Sequence, residues 1–421
     1  MKPFSLKSRE RIFFNTVRIC IVALVYFILG YFFEFKGHLR DVVSFMIFLI
    51  PNYFIGYKGW NYIGRRMGMN RIAYWGIYWF VALSYIPGKI IDKFLPDSMI
   101  ANAFLLLDSY WFNCLRYFLV IILFCMLLGF LNKRFNFLGA GMGRLVGNTP
   151  FVGLVVLVLT VSYLAYGTWN SSRTQVTHYE ITINKNTTGL KELRAVMVSD
   201  LHLGRFMSGE RLKGLVSSIN KLKPDVVLVV GDTIEEDNTP YIKRKMADIL
   251  AGINSKHGVY AVLGNHEAAS GNTDVIIENL NKAGISVLKD QYIIVADSFY
   301  LVGRSDRGEV GENSDRKKLD SIIEGIDKSL PILLMDHQPV EFDGAADSGI
   351  DIQLSGHTHD GQEIFAKPIV SLAFDLAYGY YNKNNFHAIV SSGFGTWGSP
   401  VRVGTKSEIV DIHIRFNSSS E

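Results

Sequence analysis

The sequence predicts two architectures in one chain: a multi-span α-helical membrane domain, then an α/β domain. Three observations predict them. Residues 1–170 are dominated by Phe, Leu, Ile, Val, Tyr and Trp, while residues 171–421 carry charges throughout. In the second part, short β-branched runs alternate with helical patterns, the signature of strands with helices between them. A length of 421 residues accommodates this division. We divide the chain into a helical domain over 1–170, a linker with a first strand over 171–193, and a soluble domain over 194–421.

Five apolar segments stand out: 14–33, 42–57, 72–91, 110–131 and 151–169. About 20 residues of helix cross a hydrocarbon core, which all but the second satisfy; that one is short and contains Pro51. The first segment follows Lys2, Lys7, Arg9 and Arg11, as a signal peptide would, but bulky residues (Tyr31, Phe32, Phe33, Glu34) replace a small-residue cleavage site. It reads as a retained anchor. Basic residues then set orientation. They crowd the N-terminal tail, the loop after the second segment (Lys58, Arg65, Arg66, Arg71) and the loop after the fourth (Lys133, Arg134, Arg144). Five crossings place the tail inside and the soluble domain outside the cytoplasm, in a multi-pass cell-membrane protein. A re-entrant 42–57 would reverse the domain's side. Trp60, Trp75, Trp111 and Trp169 near the segment ends are interfacial anchors, and no convincing mid-span charge suggests a transport path.

The net charge of +4 arises largely in those loops, and the soluble part has no Lys/Arg run interleaved with aromatics; nucleic acid is not an expected partner. The cysteines are Cys20, Cys114 and Cys125, all in apolar stretches. The soluble part therefore has neither a disulfide nor a thiolate ligand.

In the soluble part, Tyr179, Ile181 and Ile183 alternate as a first strand. Strands are predicted over 194–199, 226–230, 259–263, 300–303, 332–335, 350–354, 387–392 and 408–415, with a helix over 209–222. Five polar blocks follow strand ends: VSDLHLG at 198–204, GDT at 231–233, GNHE at 264–267, MDHQP at 335–339 and GHTH at 356–359. Loops at strand ends are where sheets assemble sites. The blocks supply Asp200, His202, Asp232, Asn265, His266, His337, His357 and His359. Pleat alternation predicts that Asp200 and His202, like His357 and His359, point the same way. Gly231, Gly264 and Gly356 each precede a candidate ligand and permit close approach. Mixed oxygen and imidazole donors suit zinc, manganese or iron better than calcium. His178, His257 and His387 lie outside any block and are expected to be structural.

These blocks resemble the calcineurin-like metallophosphoesterases, whose pattern is D-x-H, G-D, G-N-H-[D/E], H and G-H-x-H. The resemblance covers about 192–415, and GFGTWGSPVRVG at 393–404 is similar to the bacterial membrane-attached branch. It implies a four-layer α/β/β/α sandwich with two divalent metal ions. Asp200, His202, Asp232 and His359 would hold one ion; Asp232, Asn265, His337 and His357 the other, with Asp232 bridging. A metal-bridging hydroxide would attack a phosphate mono- or diester in line, and His266 would protonate the leaving group. Asp336 is expected to serve the fold. Asp306 either faces the site or lies in a turn, and Arg402 either contacts phosphate or pairs at the surface. The aromatic run Phe374–Tyr381 either lines a lipid entry or packs. Tethering beside a bilayer points to lipid or cell-envelope phosphates. The alternatives are a catalytically silent metal-binding scaffold, and a membrane sensor or transporter with an accessory domain.

Overall fold

The computed structural model describes residues 38–135, 149–307 and 316–417. The chain divides into two compact units, Met1–Ala165 and Tyr166–Glu421, so the boundary falls five residues before the one the hydropathy change suggests.

In the first unit the described helices are α1 (His38–Gly59), α2 (Arg71–Ala82), α3 (Tyr85–Phe94) and α4 (Met99–Phe135); α5 (Thr149–Ser171) begins in this unit and ends in the second. The expected span 14–33 lies outside the described residues. Segment 42–57 lies within α1, which continues through Pro51. Segment 72–91 is not one helix but two, broken at Leu83–Ser84. Pro87 has no N–H to give the Leu83 carbonyl, so the helix stops and restarts with the proline in its first turn. Among the described residues, two helices are long and apolar enough to cross a membrane: Met99–Asn132 within α4 and Gly153–Ser171 within α5. The whole helices α4 and α5 contain the fourth and fifth predicted segments.

Among the described residues, the second unit holds twelve strands: β1 (Thr174–Ile183), β2 (Glu192–Val198), β3 (Val226–Val230), β4 (Val259–Val262), β5 (Ile285–Val287), β6 (Gln291–Val295), β7 (Phe299–Gly303), β8 (Ile332–Met335), β9 (Ile352–Ser355), β10 (Gly379–Lys383), β11 (Phe386–Val390) and β12 (Ser407–Phe416). Its helices after α5 are α6 (Gly209–Lys221), α7 (Thr239–Lys243), α8 (Met246–Leu250), α9 (Asn265–Ala269), α10 (Thr273–Lys282), α11 (Leu319–Ile322), α12 (Phe342–Asp347) and α13 (Lys367–Ala373). The strands form two six-stranded mixed sheets, ordered β1-β12-β2-β3-β4-β5 and β10-β11-β9-β8-β7-β6. The inner pairs β2-β3-β4 and β7-β8-β9 are parallel, as crossover connections require.

Period-two alternation assigns each strand residue to a layer. In β3, Val226, Leu228 and Val230 face the second sheet, meeting Leu301, Leu333, Met335 and Leu354 in the central core. Val227 and Val229 face outward against Leu212, Leu215 and Ile219 of α6, Met246 and Leu250 of α8, and Ile276 and Leu280 of α10. On the far side, Val302, Ile332, Leu334 and Val390 pack on Ile322 of α11 and on Phe342 and Ala345 of α12. The layers are therefore α/β/β/α. Burial on both faces explains why the inner strands read as unbroken apolar runs.

Candidate metal centre

All five polar blocks follow the C-terminal ends of β2, β3, β4, β8 and β9, strands whose parallel neighbours aim those ends the same way. The eight candidate residues thereby converge. Asp200, His202 and His359 form one cluster with donor atoms within 4.8 Å of one another; Asp232, His337 and His357 form another. His202 Nε2 lies 3.0 Å from His359 Nε2, and His359 Nε2 lies 3.5 Å from Asp200 Oδ1. In the second cluster, His337 Nε2 is 3.1 Å from Asp232 Oδ2, and His357 Nδ1 is 2.8 Å from Asn265 Oδ1.

These spacings test whether the donors fit a cation. Two ligands at about 2.1 Å from one ion and at right angles stand about 3 Å apart. His337 Nε2 is buried without a hydrogen-bond partner, while His337 Nδ1 donates to the Val230 carbonyl at 2.9 Å. That bond fixes the ring orientation and leaves Nε2 facing the Asp232 carboxylate. The residues fit.

The local backbone is not the extended pleat the sequence suggests. Asp200, His202, Asp232, His357 and His359 all have positive φ, from 47° to 70°. Asp200 and His202 converge because the chain turns left-handed at each, not because a strand alternates. Such conformations cost about 1 kcal/mol or more per residue. Backbone bonds between the loops hold them: Asp200 N–H to Gly231 O at 3.0 Å, His202 N–H to Asp232 O at 3.0 Å, and Gly395 N–H to Asp200 O at 2.7 Å. The glycines permit the crowding. A Cβ at Gly264 would lie 2.2 Å from Asp232 Oδ1, and one at Gly231, itself at φ +77°, would lie 2.3 Å from His337 Nδ1.

Electrostatics divide the imidazoles. Burial, helped by His337, lowers His357 to about 3. Burial, with His202 and Arg402 adding to it, also holds His359 well below its ordinary value. Both rings are neutral. Burial opposes protonation of His266 and His337 too, but the Asp232 carboxylate outweighs it, raising His266 to about 9 and His337 well above its ordinary range. The Asp232 carboxyl, which burial would raise, is in turn held well below its usual range by His337 and His266.

His266 sits at the edge of the clusters. Its Nε2 is 4.0 Å from Asp232 Oδ2, and its backbone N–H donates to Asp232 Oδ1 at 2.9 Å. Two carboxylates organise this region without having been singled out in the sequence. Glu235 faces His202 Nδ1 at 3.2 Å and His266 Nδ1 at 3.6 Å. Burial would raise its pKa, but those histidines lower it to about 2. Glu267 is fully buried and accepts the N–H groups of Asp232, Ile234 and Gly264 at 3.1, 2.8 and 2.7 Å, tying the second block to the third. Burial and the Asp232 charge raise it to about 7. Glu267 stands at the last position of the G-N-H-[D/E] pattern, one residue beyond His266; for Glu235 the only signal is an acid three residues beyond Asp232.

Arg402 is neither a phosphate contact nor a surface partner: it is fully buried, with Nη2 3.1 Å from His359 Nδ1. Asp336 pairs with Arg304 and Arg316. Asp306 is buried and accepts from Gln338 Nε2 at 3.0 Å. His178 pairs with Asp411, and His387 meets Tyr380. Phe374 packs against the His357 ring, centroids 5.8 Å apart, while Gly379–Tyr381 form part of β10.

The calcineurin-like phosphoesterase family model matches residues 193–361, which contain all eight residues. An uncharacterized metallophosphoesterase of Aquifex aeolicus is 30% identical over 247 residues, 57% of this chain and 92% of that protein. The chain belongs to the calcineurin-like phosphoesterase family. It is a phosphoesterase, a hydrolase of phosphoric ester bonds. Members of this family use two divalent metals; among the described residues there are three groups of close donors, the two clusters above and His202 with Glu235 and His266. Similarity to two relatives extends beyond the phosphoesterase fold. A Danio rerio protein named "Transmembrane protein with metallophosphoesterase domain" is 28% identical over 401 residues, 89% of each chain. An uncharacterized metallophosphoesterase of Helicobacter pylori is 26% identical over 375 residues, 87% of this chain and 97% of the relative.

Proposed function

We propose that this protein is a membrane-anchored phosphoesterase that uses two divalent cations (manganese, zinc or iron) to hydrolyse phosphate mono- or diesters outside the cytoplasm. The carrying observation is the convergence of donors from five strand-end loops at spacings of 2.8 to 3.5 Å. Asp200, His202 and His359 would hold one ion and Asn265, His337 and His357 the other, with the Asp232 carboxylate shared. When bound, such a pair lowers the pKa of water and neutralises the phosphoryl oxygens.

The chain's own residues do the rest. His266 stands 4.0 Å off Asp232 with Nδ1 toward Glu235 at 3.6 Å, placed as a proton donor for the leaving oxygen. Glu235 holds the His202 and His266 rings through their Nδ1 edges. The left-handed loops keep Asp200, His202 and Asp232 in place before substrate arrives, so orientation costs nothing at the moment of reaction.

Membrane anchoring is supported by the two long apolar helices and by the relative named as a transmembrane protein. The basic loops favour five crossings with the phosphoesterase unit outside. A lipid or cell-envelope phosphate ester is the favoured substrate. Phe374 borders His357, and Ile364, Leu372 and Trp397, on segments near His359, are 56%, 90% and 42% exposed. Such side chains suit the acyl or isoprenoid part of an amphipathic ester.

The test is hydrolysis by the full-length protein in detergent, stripped of metal and reloaded with manganese, zinc or iron. Aryl mono- and diesters report chemistry; phospholipids, envelope intermediates and nucleotides report substrate class. Metal binding without hydrolysis of any ester would leave the silent scaffold. No metal binding would sink the proposal.

A further inference from the structure

The segment between β11 and β12 borders the pocket and carries Arg402, the largest fully buried side chain among the described residues. Its Nη2 donates to the carbonyls of Ser392 at 2.8 Å and Gly395 at 2.7 Å. Its Nη1 donates to Thr405 Oγ1 and the Lys406 carbonyl, each at 3.2 Å. A guanidinium satisfied on several sides by fixed carbonyls is a rigid wall. The His359 ring rests against it, Nδ1 3.1 Å from Nη2, with Nε2 turned 3.0 Å from His202 Nε2.

The backbone of Arg402 is held by the last turn of α5, within the same compact unit. The Arg402 N–H donates to the Gly167 carbonyl at 3.0 Å. The Arg402 carbonyl accepts from Asn170 Nδ2 at 3.1 Å, and the same amide group reaches the Thr405 carbonyl at 2.8 Å. Ser171 Oγ donates to the Pro400 carbonyl at 2.9 Å. At Gly167 a Cβ would lie 2.5 Å from Val401 Cγ1 and 2.9 Å from Val403 Cγ2, so only glycine admits this approach. A plain linker between an apolar helix and a folded unit needs neither a buried asparagine nor a glycine contact with a loop more than 200 residues away.

We infer that Arg402 is a positioning residue for His359, and that the end of α5, through Gly167 and Asn170, sets Arg402 in place. The apolar helix and the metal pocket are then mechanically joined: loosening the helix end loosens one histidine of the site. This rests on the metal-binding reading of His359.

The test uses the full-length protein in detergent with Asn170→Ala, Gly167→Leu and Arg402→Lys. Trp169→Ala is the control, an exposed residue on the same turn. Manganese affinity is measured by calorimetry, and hydrogen exchange over 392–406 is measured on metal-free protein. Asn170→Ala should speed exchange in that segment. Asn170→Ala and Arg402→Lys should each weaken manganese binding severalfold, because the His359 ring loses the packed wall that holds its orientation. Trp169→Ala should change neither. Loss in Arg402→Lys, which keeps the charge but not the fork, assigns the effect to geometry. Exchange or manganese affinity unchanged in Asn170→Ala would overturn the inference. If Asn170→Ala or Gly167→Leu fails to fold, Asn170→Ser gives the same two readouts. A wild-type protein that bound no manganese would bring down the metal reading first, and this inference with it.

Discussion

His266 stands edge-on to His202, ring centroids 4.7 Å apart, and both rings turn Nδ1 toward the Glu235 carboxylate. One acid thus orients a candidate metal ligand and a candidate proton donor together. The arrangement separates their duties, because His202 Nε2 points into the first cluster while His266 Nε2 stands off Asp232 at 4.0 Å.

Replacing His266 by alanine should keep the metal content and lower turnover by about 100- to 10,000-fold for esters with poor leaving groups, the range of general acid catalysis. Aryl phosphates with acidic phenols should lose far less. Equal losses across a leaving-group series would remove His266 from the acid role.

Asp232→Ala should cost more than the about 100-fold affinity loss expected of an outer partner, because His337 Nε2 would face a space without its carboxylate. Metal content by atomic emission and hydrolysis of an aryl ester should fall together. An Asp232→Ala protein with two ions and near-normal turnover would exclude the shared-ligand assignment.

Gly231→Ala should displace His337, since the new methyl would overlap the ring at 2.3 Å and the backbone sits at φ +77°. We expect a loss of about 1–3 kcal/mol in stability, with weaker manganese binding. Thermal unfolding of variant and wild type reads the first effect. An unchanged melting temperature would show that the loop moves freely.

Away from the site, Arg194 grips the buried Asp411 carboxylate with Nε and Nη2 at 2.9 and 2.8 Å. Burial would raise the Asp411 pKa, but this fork outweighs it and holds the carboxyl below its usual range. A depressed folded pKa gives stability that is full above the unfolded value, about 4, and is lost as pH falls through the folded value. The melting-temperature gap between wild type and Asp411→Asn should therefore be constant near neutral pH and narrow below about pH 4. A gap that widened on acidification would contradict the ion pair.

Much of the site was legible because its residues come in short local blocks. Each block is a strand end followed by a turn, and the apolar run before it marks the strand. The strands β5, β6 and β10 carry no clear apolar pattern because they are short or partly exposed, although β6 and β10 form hairpins with their chain neighbours β7 and β11. The break at Leu83–Ser84 was hidden for another reason, since hydropathy sees composition and not a missing Pro87 N–H. Pleat alternation predicts Asp200 and His202 on one side of a strand, whereas paired left-handed turns bring them together.

By itself the sequence determined the candidate donors, the strand-end placement of each block and the apolar character of residues 1–170, because these are properties of contiguous residues. Tertiary structure alone decided which donors share a cluster, since Asp200 and His359 meet only when β2 and β9 are packed in their two sheets. It also decided the parts played by Glu235, Glu267 and Arg402. Their effect depends on burial and on backbone groups supplied by distant loops, which no local pattern encodes.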